Sequence, residues 1–159
     1  MRQDDEGWTI PILTHKLDRA TQYRLTSEYA APLEADRSKP FSHNWTGMVL
    51  RAFAVHPKYR CSKAAITAAH LLKSRFFQSD CYTSYQAADY WVRFEHPFWW
   101  NNLLTALDSL SLIGLSSNDE KIMQSLKWFI DHQEENGLWK VSYTKSYEKF
   151  KETVKEREK

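Results

Sequence analysis

The feature that most constrains this chain is a short motif that occurs twice. It reads Gln133-x-x-x-Gly137-x-Trp139 behind Trp128-Phe129, and Gln3-x-x-x-Gly7-Trp8 at the amino end. An amide, a glycine and a tryptophan at nearly the same spacing, each beside apolar stretches of helical period, point to one supersecondary unit stacked on another.

The stretches between the motifs read as two helix hairpins. From His43 to Val55, the side chains Trp45, Met48, Val49, Ala52 and Phe53 recur at helical spacing. Pro57 ends that helix, because the residue before a proline is pushed out of the α region. Ser62 caps a second helix with Ala65, Ile66, Ala69, Leu72 and Phe76 along one face, and the alanines from Ala64 to Ala69 let neighbouring helices come close. After His96-Pro97 the same period returns in Trp100, Leu103, Leu104, Leu107 and Leu110, until Gly114 offers a left-handed cap. Ser117-Asn118-Asp119-Glu120 has the form of a capping box for a last helix that turns Ile122, Leu126, Phe129 and Ile130 inward. Trp128 falls off that stripe, which predicts burial of this helix on two sides.

A single domain over 1–159 accommodates these elements. It comprises a partial repeat with an irregular connection (1–42), a first hairpin (43–78), an aromatic connection (79–97), a second hairpin (98–139) and an amphipathic charged tail (140–159). Between Pro11 and Pro40, Leu17, Tyr23 and Tyr29 fit a short helix. The stretch from Asp80 to Glu95 holds Tyr82, Tyr85, Tyr90, Trp91 and Phe94 without a clean period, and we read it as a connection with at most one helical turn. Connections longer than roughly 12 residues are often functional, so this one is a candidate wall or lid of a site. In the tail, Tyr143, Tyr147, Phe150 and Val154 follow helical spacing, and seven basic against four acidic residues read as a solvated helix.

Charge and cysteine usage narrow the function classes. With 22 basic and 20 acidic residues the net charge is +2, too balanced for nucleic acid to be the main partner. The two cysteines, Cys61 and Cys81, form no CxxC pair, and the polar start from Met1 to Glu6 lacks the character of a secretory leader, so a cytoplasmic location is expected. Every apolar run is interrupted before the roughly 20 residues of a membrane helix, so no span is expected. Asn44-Trp45-Thr46 matches the glycosylation tripeptide but reads as structural. Aromatic residues make up 14% of the chain, seven of them tryptophans, which either pack the hairpins together or line a pocket for an apolar ligand.

The run from Trp128 to Trp139 resembles the QW-type repeat of the terpenoid cyclase and protein prenyltransferase superfamily. The resemblance implies an all-α fold of antiparallel helix hairpins, part of an α/α toroid, in which inner helices surround a cavity. It also implies that Gln3, Trp8, Gln133 and Trp139 are structural. Full toroids of this kind hold roughly five to seven hairpins. This chain supplies about two, which makes it a fragment or truncated relative, or one whose open ends are closed by a second copy or by further repeats. The Asp-x-Asp-Asp acid signature of squalene-cyclase-like enzymes is absent, and Asp4-Asp5-Glu6 does not replace it. Prenyltransferases hold zinc with an Asp, a Cys and a His. Here Asp80 and Cys81 are adjacent rather than one residue apart, with no histidine assignable, so neither metal nor cofactor is expected. Asp89, Glu95 and Asp108 are conceivable acids for a carbohydrate-active α/α barrel, but their spacing is not diagnostic.

If the inner helices enclose a cavity, their beginnings nominate His43, Asn44, Trp45, His96, Trp99, Trp100, Asn101 and Asn102, with Tyr82, Tyr85 and Trp91 closing it. Such aromatic faces suit a polyisoprenoid chain or a developing carbocation. The expected function is binding of an isoprenoid or other hydrophobic small molecule without catalysis. The alternatives are a non-catalytic helical scaffold for protein–protein interaction and the carbohydrate-active relative.

Overall fold

Side-chain caps decide where the long helices begin. Ser42 accepts the amide of Trp45, Ser62 that of Ala65, Asn102 that of Thr105, and Asp119 those of Lys121 and Ile122. Each such bond satisfies a donor that the first turn leaves orphaned and contributes about 1 kcal/mol. The computed structural model describes residues 1–82, 87–94 and 101–141, and over these the protein is all-α. Its helices are α1 (Arg19–Arg24), α2 (His43–Val55), α3 (Lys63–Ser74), α4 (Leu103–Ile113) and α5 (Glu120–Asp131), with 3-10 turns at Pro11–Thr14 and Ala88–Val92. Among the described residues the only β pairing is an isolated bridge between Arg2 and Trp8. No described helix is long and apolar enough to cross a membrane.

The bounds of α2, the Ser62 cap and the left-handed Gly114 (φ 93°) match the sequence reading. The start of α5 does not: Asp119 is the cap, not Ser117. Its carboxylate also pairs with Lys73 of α3, and this bond holds its pKa below the usual aspartate value. A carboxylate anchored by a lysine and two helix-end amides is a stronger cap than a serine hydroxyl. Of the residues read as a short helix between Pro11 and Pro40, α1 holds Tyr23 but neither Leu17 nor Tyr29, and both tyrosines are exposed. The tail expected to be amphipathic lies outside the described residues.

α3 packs against α2, α4 and α5, and α2 also packs against α4. The core between them consists of Leu50, Ala68, Ala69, Leu72, Phe76, Trp91, Leu103, Ala106, Leu110 and Ile122. Along α2 the buried line is His43, Gly47, Leu50 and Ala54, not the stripe of larger apolar residues expected from Trp45 to Phe53. Small side chains win because α2 and α4 approach closely: a Cβ on Gly47 would fall 2.4 Å from Asn101 Cγ. Ile66, Leu104, Leu126 and Ile130, all expected to face inward, are exposed.

The two motif copies fold into the same turn, in a register that the glycines conceal. The Gln3 amide donates to the Gly7 carbonyl at 2.8 Å, and the Glu134 amide to that of Leu138 at 2.8 Å. The Glu6 amide donates to Gln3 and the Gly137 amide to Glu134. Asp5 Oδ1 accepts the Gly7 amide, and Asn136 Oδ1 the Leu138 amide. Glu6 and Gly137 are both left-handed, at φ 72° and 80°. Trp8 thus corresponds to Trp139, Glu6 to Gly137 and Gly7 to Leu138. Pairing the two glycines, as the spacing invites, is off by one residue.

Candidate functional site

The expected site residues that lie in described segments gather at the amino ends of α2 and α4, but as a sealed polar cluster. Asn44 Oδ1 accepts the Asn101 amide at 3.1 Å, and the Asn101 side chain donates to the His43 carbonyl at 3.4 Å. Asn102 donates from its side chain to the Arg93 carbonyl while capping α4. Asp80 reaches in from the end of the first hairpin. Its carboxylate accepts the Ser42 hydroxyl at 2.6 Å and the Asn44 amide at 3.3 Å, and lies 3.8 Å from His43 Nδ1. The orphaned amides of a helix start and the positive end of its dipole explain why a carboxylate is stable there.

Trp91 closes the cluster from inside. Its ring lies against His43 (centroids 4.6 Å apart) and edge-on to Phe76 (5.1 Å), and its indole N–H donates to the Gln78 carbonyl. At 1% exposure it is a core residue. The connection read as a wall or lid is therefore pinned through Trp91, on a single 3-10 turn. Tyr82 donates its hydroxyl to the Pro40 carbonyl, and burial, followed by the Cys81, Asp80 and Asp5 charges, pushes its pKa up to about 12. Trp45 is half-buried on α2. Tyr85, His96, Trp99 and Trp100 lie outside the described residues. Asn44 is buried, which removes it from the reach of glycosylation.

Burial drives the His43 pKa below its usual value, with Asp80 opposing and Arg75 reinforcing the shift. A histidine whose folded pKa is depressed binds its proton more readily in the unfolded chain. Its contribution to stability is complete above the unfolded value near 6.5 and is lost as pH falls through that value toward the folded pKa. The thermal midpoint is expected to drop between pH 7.5 and 5.5, and His43→Gln to flatten that drop. An unchanged slope in the variant would assign the effect elsewhere.

Among the described residues no three His, Cys, Asp or Glu side chains converge as metal ligands. Asp80 turns its carboxylate inward to α2, while Cys81 is exposed. Asp89 pairs with Arg93 at the surface, and Glu95 lies outside the described residues.

Among the described residues an open apolar surface lies elsewhere, and sequence reading had named only one of its lining residues for a role in chemistry, Asp108 as a conceivable acid. A groove of about 820 Å³ runs between α4 and α5, lined by Leu104, Leu107, Asp108, Ser111, Leu126 and Phe129, with Phe94 beneath and Leu138, Trp139 and Val141 at its rim. Its walls are apolar apart from Asp108 and Ser111. Leu104, Leu126 and Leu138 are 44%, 42% and 63% exposed. The Trp139 indole is fixed at the rim by donation to the Phe129 carbonyl at 2.7 Å, and Gln133 donates to the Gly137 carbonyl, so both motif side chains brace the turn against its own helix. The available signal was the leucine doublet Leu103-Leu104: two successive leucines cannot share one narrow helix face, so one of them serves a second face. No protein-family model, curated protein or solved structure matches this chain.

Proposed function

We propose that this protein is a helix-hairpin repeat module, of the kind found in terpenoid cyclases and protein prenyltransferases, that works by binding a polypeptide partner rather than by catalysis. The apolar groove between α4 and α5 carries this reading. Large exposed apolar patches rimmed by polar residues mark interaction surfaces, and this one sits on rigid helices beside a braced turn. The recurrence of one turn beside two successive hairpins supports the likeness to repeat proteins. The polar cluster at the helix starts is too well buried to meet a substrate.

A second reading, an isoprenoid chain in the same groove, is favoured by the aromatic lining of Phe94, Phe129 and Trp139. One experiment separates the two. With Leu138→p-benzoylphenylalanine, irradiation in cells is expected to give a polypeptide adduct, identified by mass spectrometry. An extractable lipid adduct would decide for the isoprenoid and against a protein partner.

A further inference from the structure

Two internal precedents define what fits the groove. α4 itself lies along the α2–α3 hairpin, where its Leu103, Ala106 and Leu110 are buried with Leu50 of α2 and Ala68, Ala69 and Leu72 of α3. α4 and α5 follow in the chain order of α2 and α3, Asn102 matching Ser42 and Asp119 matching Ser62 as caps, but they pack less closely on each other than α2 and α3 do, which leaves the wider groove. Among the described residues no helix fills the groove they form.

The second precedent is the turn. The first copy is covered by the start of α2: the Ser42 amide donates to the Trp8 carbonyl at 3.0 Å, the Trp8 amide to Thr46 Oγ1 at 2.9 Å, and the Phe41 amide to Asp5 Oδ2 at 2.8 Å. Trp8 then packs edge-on against Phe53, about two turns beyond Thr46 on α2. The second copy has the same backbone, yet the Trp139 amide and carbonyl have no such partner among the described residues.

We infer that the groove and the second turn together bind the leading helix of a further α-helical hairpin on a partner polypeptide, entering with its amino end at Trp139. This rests on the polypeptide-binding reading above and names the partner's chemistry. The helix carries an apolar face against α4 and α5, and a threonine or serine on its first turn whose hydroxyl takes the Trp139 amide, as Thr46 takes that of Trp8. One substitution sets its selectivity. A Cβ at Gly7 would fall 2.2 Å from the Phe41 Cβ, and Leu138 stands at the Gly7 position. The partner therefore has glycine or alanine, not an aromatic, immediately before its helix cap, and the leucine fills the space that Phe41 takes in the first copy. Asn136 replaces Asp5: its Oδ1 accepts the Leu138 amide as Asp5 Oδ1 accepts that of Gly7, but a donating Nδ2 stands in place of the Oδ2 that accepts from Phe41, so that bond has no counterpart.

The test inserts a second copy of residues 9–82 between Trp139 and Lys140 of the full chain, with Phe41→Gly in the inserted copy. Amide hydrogen exchange at Trp139 is expected to slow by roughly tenfold or more, toward the rate at Trp8. An insert that is itself protected while Trp139 exchanges at its original rate would overturn the inference. So would an insert left unprotected both in this form and in a form that keeps Phe41 and carries Leu138→Gly. Slow exchange at Trp139 in the unaltered chain that is released by deleting residues 142–159, or that rises with protein concentration, would give the face to the chain's own end or to a second copy, against the inference. A polypeptide adduct at position 138 with no change at Trp139 would sink the hairpin partner alone. A lipid adduct would sink the polypeptide-binding reading itself.

Discussion

Trp91→Ala is expected to destabilise the protein by about 3–5 kcal/mol, the range for an aromatic removed from a closed core. For a chain of this length that is a fall of roughly 10 °C or more in the thermal midpoint. Trp91 ties its 3-10 turn to the amino end of α2 through His43 and to the end of the first hairpin through Phe76 and the Gln78 carbonyl, which accepts its indole N–H. Alanine leaves a cavity beside a histidine that is already short of partners, since His43 Nδ1 is buried without a hydrogen bond. Trp91→Phe keeps most of the packing and forgoes one hydrogen bond, so its cost should be about 1–2 kcal/mol. Urea denaturation followed by circular dichroism measures both. A loss below 1 kcal/mol for the alanine variant would mean that the 3-10 turn is not seated on the core.

What the sequence made legible, and what it did not, follows from the range of each interaction. Pro57, Ser62 and Gly114 act on backbone within a few residues, so the bounds of α2, the start of α3 and the end of α4 could be read directly, while the end of α3, at Ser74 rather than beyond Phe76, could not. Which face of a helix is buried depends on what arrives from elsewhere in the chain. On α2 the periodic pattern of large side chains pointed to Trp45 and Phe53, while the close crossing selected Gly47 and Ala54. Small residues carry little hydrophobic weight in a periodicity argument, yet they decide how near two backbones can come. The nominated site suffered the same way. His43, Asn44, Asn101 and Asn102 do converge, as their places at helix starts implied, but in a buried cluster whose asparagine side chains are taken up by one another's backbone and by the His43 and Arg93 carbonyls. The groove went unseen because its leucines looked like core. Leu104 and Leu126 carry the period of a buried face, and among the described residues no element covers them.

Gly7→Ala should invert the usual effect of that substitution. Where the backbone permits it, replacing glycine by alanine stabilises by about 0.4–1 kcal/mol, because the unfolded chain loses freedom. Gly7 is not among the positive-φ glycines, so its backbone would accept alanine; the obstacle is space. The new methyl would lie 2.2 Å from the Phe41 Cβ and 2.5 Å from its Cγ. A Cβ cannot rotate away as a side-chain tip can, so relief requires the main chain of the turn to move off α2. That movement stretches the bonds from Ser42 to Trp8 and from Trp8 to Thr46 together. Overpacking of this kind costs about 1–3 kcal/mol, and the strained bonds place the expected loss at the upper end. Phe41→Gly in the same chain removes the atoms in conflict, so the double variant should be more stable than the sum of the two single losses allows, with a coupling of at least about 1 kcal/mol. Simple additivity would mean that the turn and the start of α2 do not touch as described. It would also remove the steric reason for expecting Leu138 to select a small residue, because that selection is the same contact with the large and small partners exchanged.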